Sequence, residues 1–341
     1  MSGAGAKSFP RLVADIGGSN ARFGLIESAA AGVRHVQRFT VAEHAGPAEA
    51  AQAYLQHMAA EMGTAWRAPL HAAFAVATPV AGDRITFTNS RWDFSVKAVQ
   101  AALALDSLRM LNDFEALALS LPHLSSAQIR SDGQAPQANG TLAVIGPGTG
   151  LGVAGVIDTG NGWIALPGEG GHATLAPSDD FDSALLACVR RQRLQASQTL
   201  QNSQNSHVSA ERLLSGIGLP VLHAAVCEVL DLPVVTLTAQ QIIDHGLATL
   251  GSGCDKTLDV FCALLGGFAG NVALTLGARG GLYIGGGIVP RMADYFFASR
   301  FRQCFEAKGR FEPYLRAVPT AVITDTLVAL VGAASALDQR L

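Results

Sequence analysis

Asn112 and Asp113 are the polar pair best placed in this sequence to meet a substrate. Leu108, Met110 and Leu111 before them are typical of the end of a buried strand, and apolar residues recur with helical spacing after them. Asp113 is therefore predicted at a strand–helix junction, and in open α/β sheets ligands bind outside the carboxyl ends of the strands. Asp is also a preferred helix N-cap. By itself the stretch is compatible with either a substrate contact or a cap.

A second set of polar candidates, Glu169 and His172, lies in the glycine-rich loop 166–177. Glycine loses more conformational entropy on folding than other residues, so three glycines around these side chains indicate an imposed backbone path. The alternative is a pair of solvated loop residues. Glu211 is a further candidate, in the first turn of a helix predicted over 209–216, where the helix dipole favours a carboxylate in any case.

Residues 11–27 predict a β-hairpin, because two apolar stretches flank a Gly17-Gly18 turn. The chain lacks the pattern G-x-x-x-x-G-K-[ST], so this turn is not a P-loop. The two glycines would still let the backbone approach a ligand, and Arg22 offers an anion-binding fork. Asp15, just before the turn, is suited to hold a hydrated Mg²⁺ near phosphates. A plain tight turn also favours Gly and Asn.

The same pattern recurs at 141–158, where two apolar strands flank a second glycine-rich turn. Residues 150–155 match G-x-G-x-x-G, but a strand follows where the dinucleotide fingerprint needs a helix, so this match is rejected. Two strand–turn–strand hairpins, one near the start of each half, predict a duplicated fold that holds a nucleotide from both sides. A third glycine turn at 285–287 follows another strand and would let an adenine or ribose lie against the backbone.

The composition indicates a folded globular protein and excludes several classes of partner. The chain has 341 residues, 49% of them hydrophobic and 15% charged, with a formal net charge of −3. Without a basic excess we expect neither nucleic acid nor a membrane as partner. The first residues lack an apolar signal-peptide core and the five cysteines form no C-x-x-C pair, so we expect a cytoplasmic protein with reduced thiols. The apolar run 260–276 is interrupted by glycines and is predicted to be a buried core helix.

The chain is long enough for two domains, each with its own core. A polar stretch at 125–139 predicts the boundary. We expect a small α/β domain at 10–123, to which a C-terminal helix at about 325–341 returns, and a large α/β domain at 124–324. The Gln-, Asn- and Ser-rich segment 195–206 is predicted to be an exposed insertion.

Six stretches in this order resemble the bacterial glucokinases, the group similar to the enterobacterial enzyme within the hexokinase, actin and sugar-kinase superfamily. They are DIGGSNAR at 15–22, LNDFEA at 111–116, GPGTGLG at 146–152, LPGEGGH at 166–172, VSAERLLSG at 208–216 and GGGIVPR at 285–291. The resemblance implies an α/β fold of two actin-like, ribonuclease H-like domains flanking a nucleotide- and sugar-binding cleft. It also implies phosphorylation of D-glucose at its 6-hydroxyl by Mg-ATP, in a homodimer that feeds glycolysis.

The resemblance also implies roles for individual residues. Asp113 would be the general base, and the sugar hydroxyls would be bound by Asn112, Asp113, Glu169, His172 and Glu211. The nucleotide would be held by Ala14, Asp15, Ile16, Gly17, Gly18 and Ser19 of the first turn, Thr149 and Gly150 of the second, and Gly285, Gly286 and Gly287 of the third. Asp15 would hold Mg²⁺ through water.

Two residues and one segment depart from the family pattern. Ser19 replaces the usual Thr, Ile217 replaces a usual Pro, and the segment 195–206 is longer than expected. Two rival interpretations come from other classes of protein. A related kinase group that includes sugar-responsive repressors has a cysteine-rich zinc motif, and no cysteine cluster lies near His172. An actin-like ATPase without sugar chemistry would keep the phosphate hairpins but would not need Glu169, His172 and Glu211.

Overall fold

The computed structural model describes residues 9–87, 90–196 and 207–339. These residues form two compact units. The first comprises the chain up to Leu124, Val156–Pro167 and the chain from Asp325, and the second comprises Ser125–Gly155 and Gly168–Thr324. Apart from 195 and 196, which end a helix, the polar segment predicted at 195–206 lies outside the described residues.

The first third of the chain alternates strands and helices. Its elements are β1 (Arg11–Ile16), β2 (Asn20–Ile26), β3 (Arg34–Thr40), α1 (Pro47–Met62), β4 (His71–Val76), β5 (Arg84–Thr86), β6 (Asp93–Ser95), α2 (Val96–Ala102), β7 (Ser107–Asn112) and α3 (Asp113–Ser120). Five strands form a sheet in the order β3-β2-β1-β4-β7, in which β1, β4 and β7 run parallel and β2 and β3 continue antiparallel. The hairpin predicted over 11–27 is confirmed.

The remainder of the chain begins with a short strand and a second glycine-rich hairpin. Its elements are β8 (Ile129–Ser131), β9 (Leu142–Pro147), β10 (Leu151–Asp158), β11 (Trp163–Gly168), α4 (Asp180–Ala196), α5 (Leu219–Val229), α6 (Ala239–Ala248), α7 (Gly253–Leu276), β12 (Gly281–Ile284), α8 (Ala293–Ala298), α9 (Phe301–Glu306), α10 (Glu312–Arg316), β13 (Thr320–Ile323) and α11 (Val328–Ala336). The second sheet has the order β11-β10-β9-β12-β13-β8. Its first five strands repeat the connectivity of the first sheet, which confirms the predicted duplication.

Buried apolar residues along adjacent strands stabilise the first sheet. Residues 12–14 of β1 and 72–76 of β4 are fully buried, as is usual for parallel strands covered on both faces. Phe23 of β2 and Phe74 of β4 pack edge to face with ring centroids 5.9 Å apart. Burial of each ring stabilises the fold by about 1.5–3 kcal/mol. The carboxyl ends of β1 and β7 are therefore fixed relative to one another.

The C-terminal helix α11 packs directly on α3 within the first unit. A Cβ atom at Gly332 of α11 would overlap the carbonyl oxygen of Ala116 in α3, so only glycine permits this approach. Arg109 of β7 donates a hydrogen bond to the carbonyl oxygen of Ala336 at 2.8 Å. The element that begins with Asp113 is thus held by the far end of the chain.

Helix α7 is the one described helix long and apolar enough to cross a membrane, and 83% of its most apolar window is buried inside the protein. Cβ atoms at Gly266 and Gly270 would collide with the carbonyl oxygens of Phe301 and Phe305 in α9. These glycines are four residues apart, so they lie on one face of α7 and form its contact with α9. The prediction of a buried core helix is confirmed.

The helix predicted over 209–216 is wrong. Residues 210–218 form successive turns, and the helix begins only at Leu219. The reason is that several backbone N–H groups of this segment donate to other loops: Glu211 to the carbonyl oxygen of Gly171 at 2.9 Å, and Gly216 to that of Gly148 at 2.7 Å. Leu213 and Leu214 still donate to the carbonyl oxygen of Ala210, so one turn forms, and the tertiary hydrogen bond of Gly216 prevents its continuation as a helix.

Candidate active site

Asn112 and Asp113 lie where the sequence predicted, at the carboxyl end of β7 and the start of α3. Asn112 is the N-cap residue, and its Oδ1 accepts a hydrogen bond from the Phe114 N–H at 2.9 Å. Asp113 Oδ1 accepts from the same N–H at 2.9 Å. The Asn112 amide also donates to the carbonyl oxygen of Thr78 at 3.3 Å. Capping is therefore mainly the work of Asn112, and Asp113 occupies the first helical position.

The environment of Asp113 holds its proton more tightly than water would. Burial raises the pKa of this carboxyl to about 6, the nearby charge of Asp15 adds to the rise, and the Phe114 N–H opposes it. A carboxylate with a pKa near 6 is ionised at neutral pH and accepts a proton more readily than an ordinary aspartate. Such a shift at a strand end is typical of a functional residue.

Asp15 is paired across the first hairpin with Arg22. The two residues are register partners on β1 and β2, and Arg22 Nη1 donates to Asp15 Oδ2 at 2.9 Å. Burial raises the pKa of Asp15 even though Arg22 lowers it. The strand register places Ile16 beside Val76 and Val76 beside Asn112. Asp15 therefore lies at the same end of the sheet as Asn112 and Asp113.

The Asp15–Arg22 ion pair was not predicted from the sequence, which suggested an anion-binding fork at Arg22. A signal for it was present in the chain. The turn has two residues, Gly18 and Ser19. Counting outwards from it by one residue along each strand at a time places residue 15 opposite residue 22.

The first glycine turn offers main-chain groups more than side chains. Ala14 and Ile16 are fully buried in β1, so their predicted contact with a nucleotide is limited to the backbone. Gly17 donates to the carbonyl oxygen of Asn20 at 2.9 Å, and Ser19 at the tip is exposed. A Cβ atom at Gly17 would meet only that oxygen, at an ordinary 3.6 Å. Packing within the protein therefore does not require glycine at position 17.

The second unit brings together Glu169, His172 and Glu211. His172 Nε2 lies 3.9 Å from Glu169 Oε2, and His172 Nδ1 lies 3.9 Å from Glu211 Oε1. The side chains of Glu169 and His172 are 67% and 61% exposed, whereas Glu211 is 25% exposed. Three groups that can donate to or accept from hydroxyls therefore form one cluster on the surface of this unit.

Close packing explains the glycines around Glu169. A Cβ atom at Gly171 would overlap the carbonyl oxygen of Leu151, and one at Gly170 would lie 2.9 Å from the Cβ of Val153. Neither glycine has a left-handed φ angle. The sequence indicated an imposed backbone path here. The cause is that the backbone at Gly170 and Gly171 packs closely against β10.

The other two glycine turns adjoin one another within the second unit. Gly286 has φ +77°, and a Cβ atom there would overlap the carbonyl oxygen of Pro147. Ile288 donates to the same oxygen at 3.2 Å. The turn at 285–287 therefore lies against the turn that carries Thr149 and Gly150, as a shared nucleotide site would need.

No group of three or more His, Cys, Asp or Glu side chains that could hold a metal ion occurs among residues 9–87, 90–196 and 207–339. Mg²⁺ in nucleotide sites keeps several waters and is bound by one or two carboxylates together with phosphates. The single carboxylate of Asp15 beside a glycine turn fits that manner of binding.

A family model described as Glucokinase matches residues 12–340. The chain belongs to the glucokinase family. This glucokinase is 45% identical to the glucokinase of Aromatoleum aromaticum over 335 residues, with 98% of this chain and 96% of the relative covered. It is 43% identical to glucokinases of Neisseria meningitidis over 334 residues, with the same shares covered. It is therefore a glucokinase in activity: a sugar kinase and an ATP-binding transferase.

Solved structures agree with this assignment. A glucokinase from an Antarctic psychrotroph is 37% identical and superposes with a TM-score of 0.84, covering 96% of this chain and 98% of the other. A ROK family glucokinase from Streptomyces griseus, solved in complex with glucose and AMPPNP, has a TM-score of 0.57 at 17% identity, with coverages of 96% and 98%. A ROK hexokinase from Thermus thermophilus has a TM-score of 0.66 at 15% identity, with coverages of 96% and 97%. This glucokinase thus has the mixed α/β, actin-like fold.

Proposed function

We propose that this enzyme transfers the γ-phosphoryl group of ATP to the 6-hydroxyl of D-glucose, giving glucose 6-phosphate and ADP, with Asp113 as general base. The observation that carries the proposal is the position of Asp113, at the end of a parallel strand and with its pKa raised by burial to about 6. The glucose and AMPPNP bound by the Streptomyces griseus relative support the choice of substrates.

Asp113 accepts the proton of the 6-hydroxyl as that oxygen attacks the γ-phosphate. A carboxylate with a pKa of about 6 is mostly ionised at neutral pH, yet basic enough to assist. The amide of Asn112, fixed between Phe114 and Thr78, orients the start of α3 and offers its remaining hydrogen-bonding capacity to the sugar. In phosphoryl transfer most of the catalysis comes from such positioning.

Glu169, His172 and Glu211 bind the sugar hydroxyls. A hexose is neutral and rich in hydroxyls, so selective binding requires several donors and acceptors in fixed positions. The three side chains supply both kinds of group, and the 3.9 Å spacings from His172 to each glutamate leave them close enough to share one ring. Asn112 and Asp113 are proposed as further contacts of the sugar hydroxyls.

The nucleotide is held by the main chain of three glycine turns. Gly17, Gly148 and Gly287 have ordinary φ angles, and a Cβ atom at each would meet at most one atom at an ordinary distance. Neither conformation nor packing within the protein explains glycine at these positions. A phosphate or nucleoside lying against the backbone does explain it. The exposed Ser19 and Thr149 hydroxyls complete the phosphate contacts.

Asp15 is the residue of this chain that would hold Mg²⁺, through water. When bound, Mg²⁺ would supply positive charge against the negative charge that develops on the phosphate oxygens. The salt bridge from Arg22 keeps one Asp15 oxygen occupied at 2.9 Å. The same guanidinium favours the ionised form of Asp15, which a cation would need.

We further propose that the two compact units are the two domains of the enzyme and that the enzyme is a cytoplasmic homodimer. Five free cysteines, four of them buried, and the burial of α7 support the cytoplasmic assignment. Light scattering across a concentration series would measure the mass in solution.

The decisive experiment measures ADP release from Mg-ATP with and without glucose, for the wild type and Asp113→Ala, with a panel of other hexoses. Glucose-dependent turnover that disappears in the variant is the expected result. Turnover that is indifferent to every sugar would instead favour an actin-like ATPase. Turnover that is undiminished in Asp113→Ala would remove Asp113 from the role of base.

A further inference from the structure

The segment Val208–Gly218, named here the bracing segment, is hydrogen-bonded to the loop that carries Glu169 and His172. Ala210 donates to the carbonyl oxygen of Ala173 at 2.9 Å, and Glu211 donates to that of Gly171 at 2.9 Å. Leu175 returns a hydrogen bond to the Val208 carbonyl at 2.9 Å. The sugar-binding loop is therefore tied to this segment along its main chain.

The bracing segment is also hydrogen-bonded to the glycine turn that carries Thr149 and Gly150. Gly216 donates to the carbonyl oxygen of Gly148 at 2.7 Å. At the other end of the turn, Leu151 donates its N–H to Glu211 Oε2 at 2.9 Å. One short segment thus contacts both the proposed sugar-binding loop and the proposed phosphate-binding turn, all within the second unit.

Glu211 makes both contacts with a single carboxylate. Its Oε2 accepts from the turn at Leu151, while its Oε1 lies 3.9 Å from His172 Nδ1 in the sugar-binding cluster. The fit to the turn is tight, because a Cβ atom at Gly150 would lie 2.5 Å from Glu211 Oε2. Since φ at Gly150 is ordinary, the reason for glycine at this position is the carboxylate itself.

The sugar-binding loop and the turn are also in direct backbone contact. A Cβ atom at Gly171 would overlap the carbonyl oxygen of Leu151. Close-packed interiors are barely compressible, so a shift of one backbone displaces the other. A hydroxyl that draws the Glu211 carboxylate towards the sugar therefore changes the acceptor that holds Leu151.

We propose that Glu211 is a positioning residue for the nucleotide: it couples occupancy of the sugar-binding loop to the conformation of the phosphate-binding turn. This rests on the proposed function, in which Glu211 also binds the sugar. The coupling is reciprocal, so glucose strengthens nucleotide binding by the same factor as the nucleotide strengthens glucose binding. Binding at the sugar-binding loop thus changes the affinity of the phosphate-binding turn for the nucleotide before any chemistry occurs.

The test is calorimetric binding of AMPPNP with Mg²⁺ to the full chain, with and without saturating glucose. For the wild type we expect glucose to tighten AMPPNP binding by about 5-fold or more. In Glu211→Ala, the ratio of the two affinities should fall to within about twofold of one. In Gly150→Ala, whose methyl group displaces the carboxylate from Leu151, the ratio should fall likewise while glucose alone still binds.

Two controls separate coupling from stability and from sugar binding. Asp179→Ala removes a carboxylate of the same unit that accepts a backbone N–H, from Asp182 at 2.8 Å, away from the turn, and it should keep the wild-type ratio. Glu169→Ala removes a sugar contact without touching the turn. It should weaken glucose binding but keep the ratio once glucose is saturating.

The inference is overturned if the wild-type ratio is one, or if the ratio persists in both Glu211→Ala and Gly150→Ala. Should Glu211→Ala fail to fold, Gly150→Ala still decides. The proposed sugar site fails separately, if Glu169→Ala binds glucose as tightly as the wild type does. That result would leave the measured coupling ratio of Gly150→Ala intact as a test of the turn.

Discussion

The two units of this glucokinase hold their carboxylates in opposite ways. In the first unit, Asp15 is 18% exposed and paired with Arg22, and Asp113 begins a helix at the end of a buried strand. In the second unit, Glu169 is 67% exposed on a loop. Burial perturbs the pKa of both acids in the first arrangement, whereas the second presents Glu169 to solvent.

Under the proposed function, this difference corresponds to two roles, proton transfer in the first unit and sugar recognition in the second. Proton transfer needs a group whose pKa is tuned by a rigid, poorly solvated site, which strand ends provide. Recognition of a neutral sugar needs acceptors that a ligand can reach and desolvate, which loops provide. The comparison predicts that changes in the first unit alter the rate of the chemical step, whereas changes in the second alter substrate affinity.

Asp113→Ala tests the comparison most severely. Loss of a general base lowers kcat by about 10²- to 10⁴-fold, while the KM values for glucose and ATP should change by much less. Steady-state kinetics with both substrates varied would measure the split. A rise in KM with kcat preserved would mean that Asp113 acts in substrate binding. It would contradict the prediction that changes in the first unit alter the rate of the chemical step.

Asp113→Asn should stabilise the folded protein at alkaline pH. Because folding raises the pKa of Asp113 from 3.8 to about 6, its protonated form favours the folded state, and this contribution is lost as pH rises from about 4 through about 6. Asn imitates the protonated form, so at pH 8 the gain in free energy of unfolding is up to about 3 kcal/mol. The gain should disappear near pH 4.

Urea unfolding of the wild type and Asp113→Asn at pH 8 and pH 4 would measure that gain. Glu169→Gln is the matched control, because an exposed substitution should change stability by no more than about 0.5 kcal/mol at either pH. A variant less stable than the wild type at pH 8 would mean that the Asp113 carboxylate stabilises the fold.

Glu169→Ala should act on affinity. Removal of a charged hydrogen-bonding partner costs about 1.5–3 kcal/mol of binding, which raises the KM for glucose by about 10- to 150-fold. The KM for ATP should stay near the wild-type value, and kcat should fall far less than in Asp113→Ala. A loss confined to kcat would show that the exposed loop takes part in the chemical step.

Ile217→Pro should have the smallest effect. Ile217 is 63% exposed, and its N–H makes only a long hydrogen bond of 3.5 Å to the Thr149 carbonyl oxygen. Proline removes that donor and restores the residue usual in the family, so we expect the KM for ATP to change by less than about twofold. A larger change would show that this N–H helps to hold the phosphate-binding turn.

Local sequence patterns were sufficient for the two hairpins, the buried strand that ends before Asn112 and the strand–helix junction at Asp113. The apolar alternation and helical spacing that define these elements extend over only a few residues, and turn glycines mark their ends. The repeat of one hairpin in each half was enough to predict the duplicated topology. The roles of Asp113, Glu169 and the glycine turns in catalysis stay predictions drawn from motifs and family resemblance.

Only the tertiary structure decided what happens between distant residues. Glu211 was expected in a helix, but it lies in a series of turns, and its N–H and its carboxylate are held by residues 40 and 60 positions away. Gly171 and Gly286 are required by backbones that approach from elsewhere in the chain. The pKa of Asp113 likewise depends on burial and on Asp15 across the sheet. Packing determines these features, because it brings together groups whose separation no local pattern encodes.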